Sequence, residues 1–282
     1  MPIRLFCALC CLLVLCCACA PSGVSQLPAP ADALGDLTVT FFRCGKADSA
    51  LLRTADHAVL IDAGTQDAGE YVLSRLQAMG VARLDALIVT HPHKDHVGGA
   101  DVILEAIPAD CVYVGPLQVD SKQTRQFGEA LEAAGLVPQT LQAGDALSFG
   151  DLSLLVLGPQ RTDYEDENDL SLVLRAQYGQ TRFLFAADAE KDLLQELLAS
   201  GQALRAEVLK VPHHGGAEDN SALFFQAVLP EVAVIPCERG TEDGLPDEAV
   251  LRALRSAGAA VYVTDDGDVT VHTDGTTLTA SQ

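Results

Sequence analysis

Leu87-Ile88-Val89-Thr90-His91-Pro92-His93-Lys94-Asp95-His96-Val97-Gly98-Gly99 is the stretch around which this chain is organised. Apolar and β-branched residues, Leu87 to Thr90, run into three histidines and an aspartate, and two glycines follow. The apolar run fits a buried strand, which would deliver the polar burst to a loop at the edge of a sheet. Imidazole and carboxylate groups at this spacing are the ligands that Zn²⁺ and related first-row metals prefer. His91 and His93 point the same way in an extended segment, whereas the adjacent Asp95 and His96 reach a second point nearby. One short loop can therefore serve two metal ions. A polar surface loop is the alternative, but the chain has only seven histidines, and three of them fall between positions 91 and 96.

Working outward, alternation predicts strands over 37–44, 49–54 and 57–61, the last ending at Asp62-Ala63-Gly64. A helix over 68–79 closed by Gly80 leads into the strand 84–90. A helix over 98–107, a strand over 111–114 and a helix over 122–134 capped by Gly135 follow. The second half begins again with hairpins. Strands 146–149 and 152–157 meet around Gly150-Asp151, and 170–178 and 181–187 meet around Gly179-Gln180. Asp188 stands where that last strand ends, before a helix over 189–199. A strand over 207–211 ends in Pro212-His213-His214-Gly215-Gly216. A helix over 221–228, a strand over 232–236, a helix over 246–257 and strands over 261–264 and 269–273 close the chain. Strands then helices, done twice, predict an α/β fold of two mixed sheets with helices outside, a four-layer α/β/β/α sandwich.

Asp62, the opening motif, Asp188 and the pair His213-His214 all fall at strand ends, where sites of α/β folds collect. Asp62 has a simpler reading as a turn residue, and Asp188 as an N-cap. Gly215-Gly216 beside the histidine pair suggests close backbone approach to a partner.

Residues 1–18 read as a signal peptide, because the apolar run Leu5 to Ala18 is too short to span a bilayer comfortably. Cys16-Cys17-Ala18-Cys19 is similar to a bacterial lipoprotein cleavage site. It makes Cys19 the expected lipidation point and anchors the protein outside the cytoplasmic membrane; a secreted protein is the alternative. Residues 19–36, with Pro21, Pro28 and Pro30, form the expected flexible tether. Residues 37–282 remain for one domain, expected to be a monomer. Beyond the tether, Cys44, Cys111 and Cys237 are far apart and odd in number, so buried thiols are expected rather than a disulfide framework. The net charge of −21 argues against a surface built for broad nucleic-acid binding. The absence of tryptophan and an aromatic content of 5% argue against a stacking surface as well.

His91-x-His93-x-Asp95-His96 resembles the metal motif of the metallo-β-lactamase fold superfamily. Leu209-Lys210-Val211-Pro212-His213-His214-Gly215-Gly216 resembles one branch of it more closely, the hydrolase-like domain of the ComEC/Rec2 competence proteins. Asn168-Asp169-x-Ser171-Leu172-Val173-Leu174, Phe183-x-Phe185-x-x-Asp188-Ala189-Glu190 and Asp48-Ser49-Ala50-Leu51-Leu52 with Asp62-Ala63-Gly64 match that branch too. The resemblance implies that His91 and His93 hold one metal, that Asp95 and His96 help hold a second, and that Asp188 bridges them. It implies His214 as the remaining ligand and His213 as a residue facing substrate. Asp62, Asp48 and Asn168 would lie behind the ligands, Asp62 holding a ligand histidine by its free N–H.

Three departures stand out. The further ligand histidine common in the superfamily is missing from Asp163-Tyr164-Glu165-Asp166-Glu167-Asn168-Asp169. Leu245 stands before Pro246 where the branch commonly has histidine. Arg43-Cys44-Gly45-Lys46-Ala47 replaces a segment where acid and glutamine are usual. The first metal site is thus expected to be ligand-poor. The implied activity is hydrolysis of phosphodiester bonds by metal-activated water, with Asp95 and His213 as catalytic residues and one or two divalent ions, Zn²⁺ first and Mn²⁺ second. The expected partner is a phosphoester substrate, DNA included. A non-catalytic metal-binding accessory lipoprotein and a lactone or β-lactam hydrolase are the competing readings.

Overall fold

Strand-forming and helix-forming stretches alternate through the computed structural model, which describes residues 35–218, 221–242 and 244–282. The signal peptide, Cys19 and all but the end of the tether lie outside the described residues. The first half contains β1 (Leu37–Phe41), β2 (Ala50–Arg53), β3 (Ala58–Ile61), α1 (Gln66–Ala78), β4 (Leu84–Val89), α2 (Lys94–Val97), α3 (Ala100–Ala106), β5 (Ala109–Val114), α4 (Lys122–Ala134) and β6 (Gln139–Thr140). The second half contains β7 (Ala146–Phe149), β8 (Leu152–Gly158), β9 (Val173–Tyr178), β10 (Thr181–Phe185), α5 (Lys191–Ala199), β11 (Val208–Lys210), α6 (Ser221–Val228), β12 (Val232–Ile235), α7 (Glu248–Ser256) and β13 (Ala260–Val263). The closing strands β14 (Val269–Thr273) and β15 (Leu278–Ser281) return to the first sheet.

The strands form an eight-stranded sheet, ordered β15-β14-β1-β2-β3-β4-β5-β6, and a seven-stranded sheet, ordered β13-β12-β11-β10-β9-β8-β7. Three apolar cores separate four layers. The middle core joins inward residues of both sheets, among them Leu52, Ile61 and Ile88 from the first and Leu174, Phe183 and Phe185 from the second. An outer core packs α1, α3 and α4 on the first sheet, and another packs α5, α6 and α7 on the second. The architecture is therefore the four-layer α/β/β/α sandwich expected from the sequence. The run Leu84–Val89 has no polar alternation after Asp85 because β4 is covered on both faces: Ala86 and Ile88 enter the middle core, and Leu87 and Val89 the helical one.

In each sheet the strands next to the site run parallel: β3, β4, β5 and β6 in one, β10, β11, β12 and β13 in the other. Their C-terminal ends bring Asp62, Thr90-His91, Asp188 and Pro212-His213-His214 to one edge. The two-residue β6 and the edge strand β15 have no pattern of their own in the sequence and exist through pairing with β5 and β14. The strand expected over 170–178 begins only at Val173, since Glu167–Leu170 forms a 3₁₀ turn. Close approach of backbones fixes the rim. A Cβ on Gly99 would lie 2.4 Å from Ala63 O and 2.6 Å from Gly69 Cα, so only glycine lets the start of α3 press against α1 beside Asp62.

Candidate metal centre

The histidine loop starts at the end of β4 and is coiled rather than extended. His93 N-caps α2, and Asp95 and His96 sit on that single turn. Main-chain hydrogen bonds tie the turn to two distant segments: Asp48 N donates to Asp95 O, and Ala63 N donates to His96 O. Four residues with side chains adopt left-handed backbone around the site: Asp62 (φ 57°), Ala187 (φ 45°), His213 (φ 46°) and His214 (φ 51°). Such strain persists only where the surroundings over-determine it, as at ligand clamps. The histidine pair is thus a left-handed turn beyond the end of β11. His214 is fully buried and faces inward, and His213 is turned toward two glutamates.

Six donor atoms converge. His96 Nε2 is 3.2 Å from Asp188 Oδ2, and His214 Nε2 is 3.4 Å from both Asp188 Oδ2 and Asp95 Oδ2. His91 Nε2 lies 4.0 Å from the same Asp188 oxygen and 3.1 Å from His93 Nδ1. Asp95, His96, Asp188 and His214 together present donors within 4.8 Å of one another.

The opposite nitrogen of each ring is engaged elsewhere. His96 Nδ1 meets Asp62 Oδ2 at 2.9 Å, and His214 Nδ1 meets Pro236 O at 2.9 Å. Both oxygens accept only, so each Nδ1 donates and each Nε2 keeps its lone pair for the cluster. His91 Nδ1 is 3.2 Å from Ser171 Oγ and 3.3 Å from Thr90 Oγ1, and His93 Nε2 is 3.1 Å from Glu167 Oε2. Histidines held from behind by carboxylate, carbonyl or hydroxyl are the arrangement of metal-ligating imidazoles.

Asp188 does not cap the following helix. That role falls to Asp169, whose carboxylate accepts from Glu190 N (2.8 Å), Leu193 N (3.1 Å) and Asp192 N (3.2 Å). Asp188 is left to the cluster. Asp62 also accepts from Thr90 N (2.7 Å) and Thr90 Oγ1 (2.8 Å), well beyond a turn role. Asp48 contacts Lys210 and stands 3.4 Å from His214 Nδ1. Asn168, expected behind the ligands, instead donates to Glu190 (2.7 Å), which is itself 3.1 Å from His213 Nδ1.

Lys210 lies inside the Leu209-to-Gly216 motif, which assigns it no role. Its ammonium is buried, pairs with Asp48, donates to Ala187 O (2.6 Å) and lies 3.6 Å from Asp188 Oδ1. A lysine two residues past a strand start carries no signal of burial, and only the packing of β11 between β10 and β12 places it here. Thr90, Ser171, Glu167 and Glu190 were likewise quoted in sequence without a role.

The donor set fits divalent metal. Four carboxylates, from Asp48, Asp62, Asp95 and Asp188, gather around the cluster while the Lys210 ammonium contacts two of them, so a divalent ion would offset the remaining negative charge. His96 Nε2, His214 Nε2 and Asp188 Oδ1 are buried without a hydrogen bond of ordinary geometry, which is what an ion binding there would relieve. The titration follows the same logic. Burial disfavours charge on His96 and His214, but Asp188 and the other carboxylates outweigh it, raising His96 well above the usual histidine value and His214 to about 9. Burial, together with neighbouring His96, instead keeps His91 neutral. Asp188 is held well below the usual carboxylate value, since His214 and His96 overcome its burial.

Residues 43–238 match the model of the Metallo-beta-lactamase superfamily. The chain belongs to this superfamily. Within it, the chain is 31% identical over 198 residues to ComE operon protein 3 of Bacillus subtilis (strain 168), covering 70% of this chain and 26% of that protein. The chain thus spans about a quarter of that relative's length. It is 44% identical over 243 residues to a hydroxyacylglutathione hydrolase of Aeromonas salmonicida (strain A449), covering 73% of this chain and 92% of the relative. The fold matches the metallo-beta-lactamase fold protein YhfI from Bacillus subtilis with a TM-score of 0.57 at 16% identity, over 88% of this chain and 100% of that one. Metal-dependent hydrolysis is the coarse chemistry that goes with this membership, and His91, His93, Asp95, His96, Asp188 and His214 are the residues that would hold the ions.

Proposed function

We propose that the chain hydrolyses phosphodiester bonds in small substrates, using one or two divalent ions, Zn²⁺ first and Mn²⁺ second. The observation that supports it is the convergence of Asp95, His96 and His214 on Asp188, with His91 and His93 alongside and every ring clamped from behind. Bound divalent ions would lower the pKa of water and neutralise charge developing at the ester. The chain's own residues do the rest. Asp62, Pro236, Ser171 and Glu167 orient the rings, and Lys210 holds Asp48 and the far oxygen of Asp188.

Hydrolysis of a diester requires one proton for the leaving oxygen. His213 supplies it: Glu190 at 3.1 Å and Glu218 at 3.4 Å hold its Nδ1, which leaves Nε2 for the substrate. The Glu218 hydrogen bond outweighs burial and raises the His213 pKa, which favours the protonated ring that a general acid needs. A net charge of −21 repels long polyanions, so a short diester suits this surface better than polymeric DNA. Acyl transfer is the second reading, favoured by the 44% identity to a hydroxyacylglutathione hydrolase. The chain is further proposed to act outside the cytoplasmic membrane, anchored through Cys19 as a monomer.

The test is a panel assay of the full chain with Zn²⁺ or Mn²⁺ on bis-p-nitrophenyl phosphate, single-stranded DNA, a hydroxyacylglutathione thioester and nitrocefin, with His93→Ala and Asp188→Ala as controls. Turnover of the diester that both controls lose supports the proposal. Turnover of the thioester or nitrocefin alone establishes the acyl reading. Wild type indistinguishable from both controls on every substrate leaves a metal-binding accessory protein. Cys19→Ala should release the protein from membranes, and unchanged membrane association would refute the anchor.

A further inference from the structure

Beside the histidine loop lies a cavity of about 340 Å³ that none of the site residues requires. Its walls come from the ends of β4 and β5, from α2 and from α4, with Val89, Val97, Val114, Leu117, Phe127 and Leu131 contributing. Gln118, Thr124 and Thr140 are its neutral polar groups. Among the described residues no Asp, Glu, Lys or Arg lines it, in a chain that carries 39 acids and 18 bases. Its volume lies at the lower end of the range of about 300–1,000 Å³ typical of small-molecule sites. His91 and Pro92 form one wall, so the cavity and the donor cluster share the same turn of chain.

Two further features keep this space open and its wall fixed. Gly128 lines the cavity in the interior of α4, and a Cβ placed there would meet nothing within 4 Å. Glycine in a helix interior weakens the helix relative to alanine, and no close backbone approach requires it at this position. The loop forming the opposite wall is pinned to α4 by a reciprocal cap. Ser121 N donates to Thr124 Oγ1 (2.9 Å), Thr124 N donates to Ser121 Oγ (3.1 Å), and the Thr124 hydroxyl donates to Val119 O (2.7 Å). The cavity is therefore preformed and does not depend on a ligand to shape it.

We infer that this cavity is a specificity subsite for an uncharged, largely apolar group, such as an aryl or branched alkyl substituent, of the ester whose reacting centre lies at the donor cluster. The inference rests on the hydrolase reading for what sits at the cluster, and on the cavity alone for what sits beside it. The wall shared at His91-Pro92 selects a group on the same small molecule over a separate partner. The absence of charged side chains selects a neutral group, because a buried charge there would lack a counter-charge.

Isothermal titration calorimetry of the zinc-loaded full chain with phenylphosphonate and methylphosphonate tests this without turnover. The wild type should bind phenylphosphonate at least about tenfold more tightly, since even a single apolar methylene in a fitted pocket discriminates by about 10–200-fold. Gly128→Leu, which fills the cavity from α4, should abolish that preference while leaving zinc content and methylphosphonate affinity unchanged. Val114→Phe fills it from β5 and serves where Gly128→Leu does not fold. Equal affinity for the two phosphonates in the wild type, no binding of either, or a preference that survives in the folded variants overturns the inference. Absence of turnover on the ester panel with the phenyl preference intact would remove the hydrolase reading and leave the subsite standing.

Discussion

Replacing Asp62 by asparagine should weaken zinc binding without unfolding the protein. Asp62 is buried and its carboxylate makes three contacts: Oδ1 accepts from Thr90 N at 2.7 Å, and Oδ2 accepts from Thr90 Oγ1 at 2.8 Å and His96 Nδ1 at 2.9 Å. In Asp62→Asn the amide oxygen keeps the bond to Thr90 N, and the Thr90 hydroxyl can rotate to accept. Asparagine also tolerates the left-handed backbone at φ 57°. The amide nitrogen, however, brings a donor against the donor at His96 Nδ1. The ring escapes that clash by moving its proton to Nε2, which removes the lone pair aimed at Asp188 and the metal. Losing such a partner behind a ligand histidine costs about 10–100-fold in metal affinity, or about 1.4–2.8 kcal/mol. The assay is zinc competition against a chromophoric chelator at pH 7, with thermal unfolding of the metal-free protein run in parallel. A folded Asp62→Asn variant with wild-type zinc affinity would refute the argument that the carboxylate sets the His96 tautomer.

Lys210→Met leaves Asp48 and Asp188 buried without their ammonium. Breaking such a pair costs about 3–5 kcal/mol, so the metal-free variant should unfold well below the wild type, and added Zn²⁺ should raise its Tm more than it raises the wild type's. Identical metal-free melting curves would contradict this. Asp169→Ala removes the acceptor for three N–H groups at the start of α5 and should destabilise by about 1–2 kcal/mol in urea unfolding, with Asp169→Asn recovering part of it; no change would assign the capping elsewhere. Asp85 is the pH-sensitive case away from the site. Burial opposes its charge, but the Ala58 N–H and His57 lower its pKa overall. Its stabilising contribution is complete above the unfolded aspartate value of about 3.9 and disappears as the pH falls through the lowered folded value. Asp85→Asn should therefore flatten the acid limb of a stability–pH profile below about pH 4, and parallel profiles would exclude the pair as a source.

The sequence by itself determined most of the elements, because their signals are local. The doubly buried run before the histidine loop, the glycine caps and the hairpin glycines each act over a few residues. Helices over 122–134 and 221–228 coincide with α4 and α6. The ligand types at His91, His93, Asp95, His96, Asp188 and the histidine pair were also legible, since metal chemistry restricts which side chains serve and strand ends are where they gather. Tertiary structure decided what those side chains do. Choosing between His213 and His214 depended on a left-handed turn that histidine does not advertise, imposed by packing against Pro236 and Ala187. The separation of inner from outer nitrogens depended on Asp62, Ser171, Glu167 and a carbonyl, which lie up to 80 positions from the rings they orient. The buried lysine, the capping role of Asp169 and the uncharged cavity beside His91 arise the same way. Each is a contact between segments distant in the chain, and no periodicity or propensity within either segment encodes its partner.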